Sequence, residues 1–376
     1  MNNRVYKYFF HEFIRYFTLV IFASTAIIWT IQAVNFLDLV TDDGHAFRVY
    51  LWYSFLLLPK VITKLIPFTF LIALIITISK LEKDNELIVL WTSGLNKINI
   101  VNLVFRISLI ITLLQIIFGT YVTPETLNYS RSLIKESQFQ FVPSLLKEKK
   151  FNDTVEGLTI FVGKKNIDET YDNIFIKDEG QTLTNVSTGA SSSTIFAKSG
   201  YVSKDEKNLI LHNGSIQKTS ENKKTNIIKF DKTMINLTGL TTKTTTEPKI
   251  QETSTWHVMT CLNEKNKYMH NCNLTNDYQK DLRIEINKRL GMPFYIPLIS
   301  LIVCFLLSTR RDKKISSYKK YIFFIFGFIV LTASEITVRY SGNSLNHTLT
   351  YYLMPLSLLP ITYLILLRTF KYENLN

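Results

Sequence analysis

Lys60 and Lys64 stand four residues apart inside an otherwise apolar stretch. On a helix that spacing puts both ammonium groups on one face. Charge at bilayer depth is costly, so such residues mark a water-filled path or a ligand rather than lipid contact. Glu335 and Arg339 repeat the same spacing in another apolar stretch. The chemistry open to cations so placed is anion binding, and a lipid phosphate suits them. Lys60, Lys64 and Arg339 are therefore expected to face one cavity and hold the phosphates of a lipid. The plainer alternatives are snorkelling lysines and an internal Glu335–Arg339 ion pair.

A second group is His257, Cys261, His270 and Cys272. Its spacing fits no standard zinc site. In an oxidising compartment Cys261 and Cys272 form a possible disulfide, with free thiols or zinc as the alternatives. Cys304 reads as an inert packing residue. Enzymatic patterns are weak. His11-Glu12 opens an H-E-x-x pattern, but Arg15 stands where the second zinc ligand would be. Ser191-Ser-Ser193 reads as a turn rather than a nucleophile. No G-x-x-x-x-G-K-[ST] loop occurs, so no cofactor is expected here and any ATP is bound by a partner subunit.

The third group lies in Leu81–Asn96, a segment able to form about three helical turns. Leu87, Leu90 and Trp91 recur at helical spacing, Glu86 supplies a carboxylate, and Gly94 would end the helix. Such a helix can dock in a groove of a cytoplasmic partner, with Glu86 pairing to an Arg there. The alternative is a solvated or interfacial loop helix.

These groups need elements to hold them. Six apolar stretches approach or exceed the roughly 20 residues that cross about 30 Å of hydrocarbon. They run from about 16 to 37, 49 to 79, 98 to 122, 290 to 309, 321 to 339 and 347 to 367. Backbone amides find no water there, and the lengths exclude barrel strands, so the spans are helices. The first is too long, and lacks a small-residue cleavage site, to be a removed signal peptide. Basic residues cluster at the N-terminus, after span two, between spans four and five (Arg310, Arg311, Lys313, Lys314) and at the C-terminus. That places both termini in the cytoplasm and the large insert outside. The net charge of +13 follows from these topology signals and anionic headgroups, not from nucleic acid.

The insert changes character. Short alternating runs such as 157–162, 173–177, 193–198, 208–212, 215–218, 226–230 and 234–237 read as strands separated by turns. Helical segments flank them, at about 129–150 and 255–288, and 238–254 reads as a loose connection. The expected fold is an α-helical membrane protein of six transmembrane helices with an inserted periplasmic all-β jelly-roll-like domain. The boundaries fall at 1–122 (with a coupling helix at about 82–94), 123–284 and 285–376.

Together these features resemble the lipopolysaccharide export permeases of the LptF/LptG family. Asp84-Asn-Glu-Leu-Ile-Val-Leu-Trp-Thr-Ser-Gly94 is similar to the family's coupling helix, with Asn85 in place of the usual Ser. Leu145–Phe151 followed by Gly157–Phe161 is similar to the family's lead into its first strand, more as in LptF. Glu285-Ile-Asn-Lys-Arg-Leu290 is similar to the segment before span four. The resemblance implies a heterodimer with an LptG-like permease, an LptB-like cytoplasmic ATPase dimer, and an LptC/LptA-like periplasmic bridge. It implies lipopolysaccharide as cargo in the bacterial inner membrane. The competing classes are a membrane-anchored periplasmic receptor or scaffold, and an enzyme acting on envelope lipids.

Overall fold

The computed structural model describes residues 2–41, 46–137, 146, 148–153, 157–166, 168, 170–179, 192–203, 208–219, 225–236, 249–262, 272, 276–308 and 313–373. His270, Ser191, Arg310, Arg311 and 238–248 lie outside them. Among the described residues, six helical stretches are long and apolar enough to cross a membrane. The chain packs as two units, one of residues 1–31, 57–127 and 249–376, the other of 32–56 and 128–248.

In the first unit, α1 spans Asn2–Asn35, of which residues 1–31 belong here. The second apolar stretch is two helices, α2 (Phe47–Leu56, in the other unit) and α3 (Leu58–Lys83). Pro59 sits in the first turn of α3, where its missing N–H costs nothing. Next come α4 (Glu86–Thr92) and α5 (Lys97–Ile117). A π-helical turn (Phe118–Val122) then leads into α6 (Thr123–Ser137). After the sheet the chain forms α7 (Thr255–Leu262), α8 (Asn276–Leu290), α9 (Tyr295–Cys304), α10 (Lys313–Ser341) and α11 (Leu345–Glu373).

Helix α9 is the centre of this unit. Its ten residues are all buried, and it packs against α3, α5, α10 and α11. Ile296, Ile299 and Val303 meet Phe70, Leu74 and Ile78 of α3 and Ile100 and Val104 of α5 in one apolar cluster. An apolar helix hidden all round needs neighbours on every side. The outward faces of α1, α10 and α11 are also apolar, with Leu19, Phe22, Tyr321, Ile325, Leu349 and Leu364 exposed. Such a surface suits acyl chains rather than water.

In the second unit the strands are β1 (Phe151–Asn152), β2 (Leu158–Lys165), β3 (Thr170–Asp178), β4 (Ser192–Val202), β5 (Asn208–Thr219) and β6 (Thr225–Asn236). They pair in consecutive order, antiparallel throughout. Alternation turns Leu158, Ile160, Val162, Ile174, Ile176 and Ile195 into one buried face. The other face carries Phe151, Phe161, Phe175 and Phe196 in ring contact. Glu148, before β1, keeps its carboxyl below the usual range because Lys149 and the Lys165 N–H bond to it.

A crease crosses the sheet. The ladder is interrupted at Gly163, Asn173, Lys198, Asn213 and Asp231, which would face one another in successive strands. On either side of it the buried positions change parity: Ile174 and Ile176 against Tyr171 in β3, Ile216 against Leu209 and Leu211 in β5. Asn173 and Asn213 have φ of 56° and 51°, a conformation asparagine tolerates better than other side chains. Beside the crease, a Cβ on Gly214 would lie 2.1 Å from the Phe196 carbonyl oxygen. The alternating runs 208–212 and 215–218 are therefore one strand, and so are 226–230 and 234–236, with 237 outside the described residues.

Candidate functional site

Lys60 and Lys64 share a face of α3, as their spacing requires, and line one cavity of about 310 Å³. Its other walls come from Thr63 of α3, Gln115 of α5, Gly119 of the π turn, Thr123 of α6, and Glu285, Lys288 and Arg289 of α8. π-Turns inside helices recur at functional positions. Glu335 of α10 closes one side.

The charges are not balanced. Arg289 binds Glu285 at 3.0 Å, and Lys288 lies 3.5 Å from Glu335. Among the described residues, Lys60 and Lys64 carry no ion pair. The lining thus carries four cationic side chains, Lys60, Lys64, Lys288 and Arg289, against two carboxylates, Glu285 and Glu335.

Glu335 pairs with Lys288 rather than with Arg339. Arg339 lines a neighbouring hollow with Lys280, Thr332 and Tyr340, and Glu335 borders both hollows. The cations thus fall in two adjacent hollows, with the lysine pair in one and Arg339 in the other. Sequence reasoning missed Lys288, Arg289 and Gln115. The first two lie in the segment 285–290 noted for its family likeness, but nothing there shows that α8 reaches the lysines.

Arg289 is a strap. Its guanidinium donates to Glu285, to the carbonyls of Ile250, Gln251 and Thr253, and to the Thr255 hydroxyl. Thr255 in turn donates to the Thr120 carbonyl of the π turn at 2.6 Å. This holds the returning chain against the cavity wall.

The second candidate region is α4. Asn85, ahead of it, has φ of 59°, which suits asparagine at that position better than most residues. Gly94 has φ of 82°, and its N–H bonds Trp91 O while Leu95 N–H bonds Leu90 O. This is a helix end that favours glycine. Leu87 is buried, and Leu90 and Trp91 pack on the chain's own core, so the apolar trio faces inward and Ile88 and Val89 face out. The Glu86 carboxylate accepts a hydrogen bond from Tyr8 of α1 at 3.0 Å. Beside them Arg4, Val5, Asp84 and Val89 complete an open hollow. Two further pairs brace this end: Lys80–Glu12 at 2.9 Å and Lys320–Glu82 at 3.0 Å.

Cys261 and Cys272 are joined by a disulfide, with Cα atoms 5.6 Å apart. His257 Nε2 lies 3.6 Å from Cys261 Sγ. The three donor atoms lie together, but bridged sulfurs offer no thiolate to a metal. Cys261 and Cys272 pack with Val258, Leu282 and Ile286, against α8. Reduction, or the C261A/C272A variant, is expected to lower stability by about 2–3 kcal/mol. Non-reducing peptide mass spectrometry with a paired melting curve checks it; equal melting of reduced and oxidised protein would contradict the expectation.

Six membrane-length helices that split around an antiparallel sheet, with a cationic cavity among the helices, define a multi-pass transport permease. The chain belongs to the lipopolysaccharide export system permease LptF/LptG family, whose model matches residues 7–369. It is also similar to an uncharacterised protein of Rickettsia prowazekii (strain Madrid E), 26% identical over 305 residues that cover 79% of this chain and 80% of that protein. Membership makes the chain a multi-pass inner-membrane protein with a role in lipopolysaccharide export. Members of the family are transport subunits rather than catalysts.

Proposed function

We propose that the chain is the LptF-like half of an ATP-driven exporter that draws lipopolysaccharide from the inner membrane. The observation that carries this is the cavity that Lys60 and Lys64 face while forming no ion pair among the described residues. Phosphates of the lipid sit between these lysines, and Arg339 with Lys280 offers a second cationic contact next door. Both termini are cytoplasmic, by the distribution of Lys and Arg. The sheet is then periplasmic. Its terminal strands β1 and β6 each leave one edge unpaired within the described sheet, where an LptC/LptA-like β bridge can add.

ATP is bound and hydrolysed on an LptB-like dimer. Helix α4, with Glu86, Ile88 and Val89 turned outward or half-outward, passes that motion to the permease, and the second half of the membrane pore is an LptG-like subunit. A pull-down of the full chain from native membranes, with protein and lipid identification, tests the assignment. Lipopolysaccharide, a second permease and an ATPase are expected together. Glu86→Ala is expected to lower retained ATPase at least fivefold while the second permease stays. A preparation with neither ATPase nor lipopolysaccharide would refute the assignment.

A further inference from the structure

His257 and Cys261 stand four residues apart on α7 and share one face. His257 Nε2 lies 3.6 Å from Cys261 Sγ. Cys272 reaches the same point from beyond the helix, and the three donor atoms lie within 4.8 Å of one another. In a tetrahedral zinc centre, Zn–N of about 2.0–2.1 Å and Zn–S of about 2.3 Å put a nitrogen and a sulfur ligand about 3.6 Å apart. The imidazole and Cys261 Sγ are therefore already placed as one edge of such a tetrahedron. Cys272 Sγ alone must move, since it is bonded to Cys261 and two sulfur ligands of one zinc stand about 3.8 Å apart. The sequence hid this, because the cysteine separation of 11 matches no standard zinc spacing.

We infer that this cluster is a redox-gated metal site. Bridged, it is closed. Reduced, it takes a thiophilic divalent cation of the zinc class through His257 Nε2, Cys261 Sγ and Cys272 Sγ. The reductant is a dithiol. Cys272 is half-buried and Cys261 buried, so the incoming thiolate attacks Cys272 Sγ. The S–S bond breaks and its electron pair leaves on Cys261 Sγ. The second thiol of the reductant then displaces Cys272 from the mixed disulfide, and the reductant departs as its own disulfide. Two electrons and two protons have passed to the bridge. The cation then replaces the two thiol protons, which go to water. With three protein ligands, the fourth position is left to a water.

The frame around the donors does not depend on the bridge. Val258, Leu282 and Ile286 pack around both cysteines. The Thr255 hydroxyl, at the start of α7, accepts from Arg289 and donates to the Thr120 carbonyl. Both α7 ligands thus keep their spacing when the S–S bond opens. The inference stands apart from the cargo assigned to the cavity.

The test uses the full chain, stripped of metal with a chelator, either oxidised or reduced with a phosphine, and titrated with Zn²⁺ alone. Reduced wild type is expected to bind one ion and to release about two protons. The oxidised chain is expected to bind at least about a hundredfold more weakly, and reduced H257A at least about tenfold more weakly. Cd²⁺ in place of Zn²⁺ is expected to add a thiolate-to-metal absorption band to reduced wild type and none to C261S/C272S. Zn²⁺ is also expected to raise the melting temperature of the reduced chain, because the folded state holds the three donors together. Absence of binding by reduced wild type overturns the inference, as does equal binding by C261S/C272S or by H257A. Binding that leaves the melting temperature unmoved overturns it too, since such an ion is held equally by the unfolded chain.

Discussion

Replacing Lys60 and Lys64 together by Ala is expected to cut lipopolysaccharide export at least tenfold while the complex assembles and melts no lower than wild type. The two halves of this expectation come from the same geometry. Each ammonium–phosphate hydrogen bond is of the charge-assisted kind, about 1.5–3 kcal/mol, so losing two weakens cargo binding by tenfold or more. The folded protein gains nothing from these charges. They lie four residues apart on one face, and their repulsion is at most about 3 kcal/mol at about 6 Å and an effective dielectric constant near 20. The exposure of Lys64 lowers that further.

A structural role would behave in the opposite way, with stability falling and export following it. K60R/K64R is expected to keep much of the export, since the cation is retained. Added salt is expected to weaken binding in wild type more than in the Ala variant. The measurements are lipid release from proteoliposomes and a melting curve on the same preparation. Unchanged export by K60A/K64A would remove the cavity from the mechanism.

Much of this was legible in the residues, and the reason is periodicity. A span is recognisable because water is absent around it, so apolar run length alone identifies it. Lys60 and Lys64 were assignable to one face because helical spacing is rigid. Arg339 was not assignable to their cavity, since that depends on how α10 turns against α3 and α8. The alternative of an internal Glu335–Arg339 pair depends on the same packing: Glu335 is four residues from Arg339, but α8 brings Lys288 to it. Leu87, Leu90 and Trp91 were correctly placed on one face of α4. Spacing alone does not say whether that face meets a partner or, as here, the chain's own core.

In the sheet, alternation located the strands, yet two pairs of runs proved to be single strands. A change of parity looks like a turn in sequence, and here it is a crease held by left-handed Asn173 and Asn213. Gln115 carried no signal at all. Its role comes from Pro67, 48 positions earlier, whose missing N–H leaves Thr63 O for α5 to satisfy.

The same dependence on distant carbonyls makes Arg289→Ala the most damaging single change to folding. Arg289 is 5% exposed and reaches five acceptors through its three nitrogens, three of the acceptors being main-chain carbonyls of 250–253. Truncation takes the guanidinium from all three carbonyls, of which Ile250 O keeps its Thr253 donors, and leaves the Glu285 carboxylate without its cation. Breaking a buried pair on one side costs about 3–5 kcal/mol. Arg289→Lys is expected to recover only a minor part, because a single ammonium cannot fork to carboxylate and carbonyls together.

The loss also has a predicted pattern. Adding Glu285→Gln to R289A is expected to return part of the stability, since the stranded charge is then gone while the carbonyls still lack the guanidinium. Melting of the purified complex checks the series. The strap also presses residues 249–255 onto the π turn through Thr255 and Thr120, so R289A is expected to loosen the cavity wall and lower lipid binding beyond what its charge alone explains. If R289A melts within a degree of wild type, the strap is not what holds the returning chain, and the packing of Leu282 and Ile286 against α7 must carry that task instead.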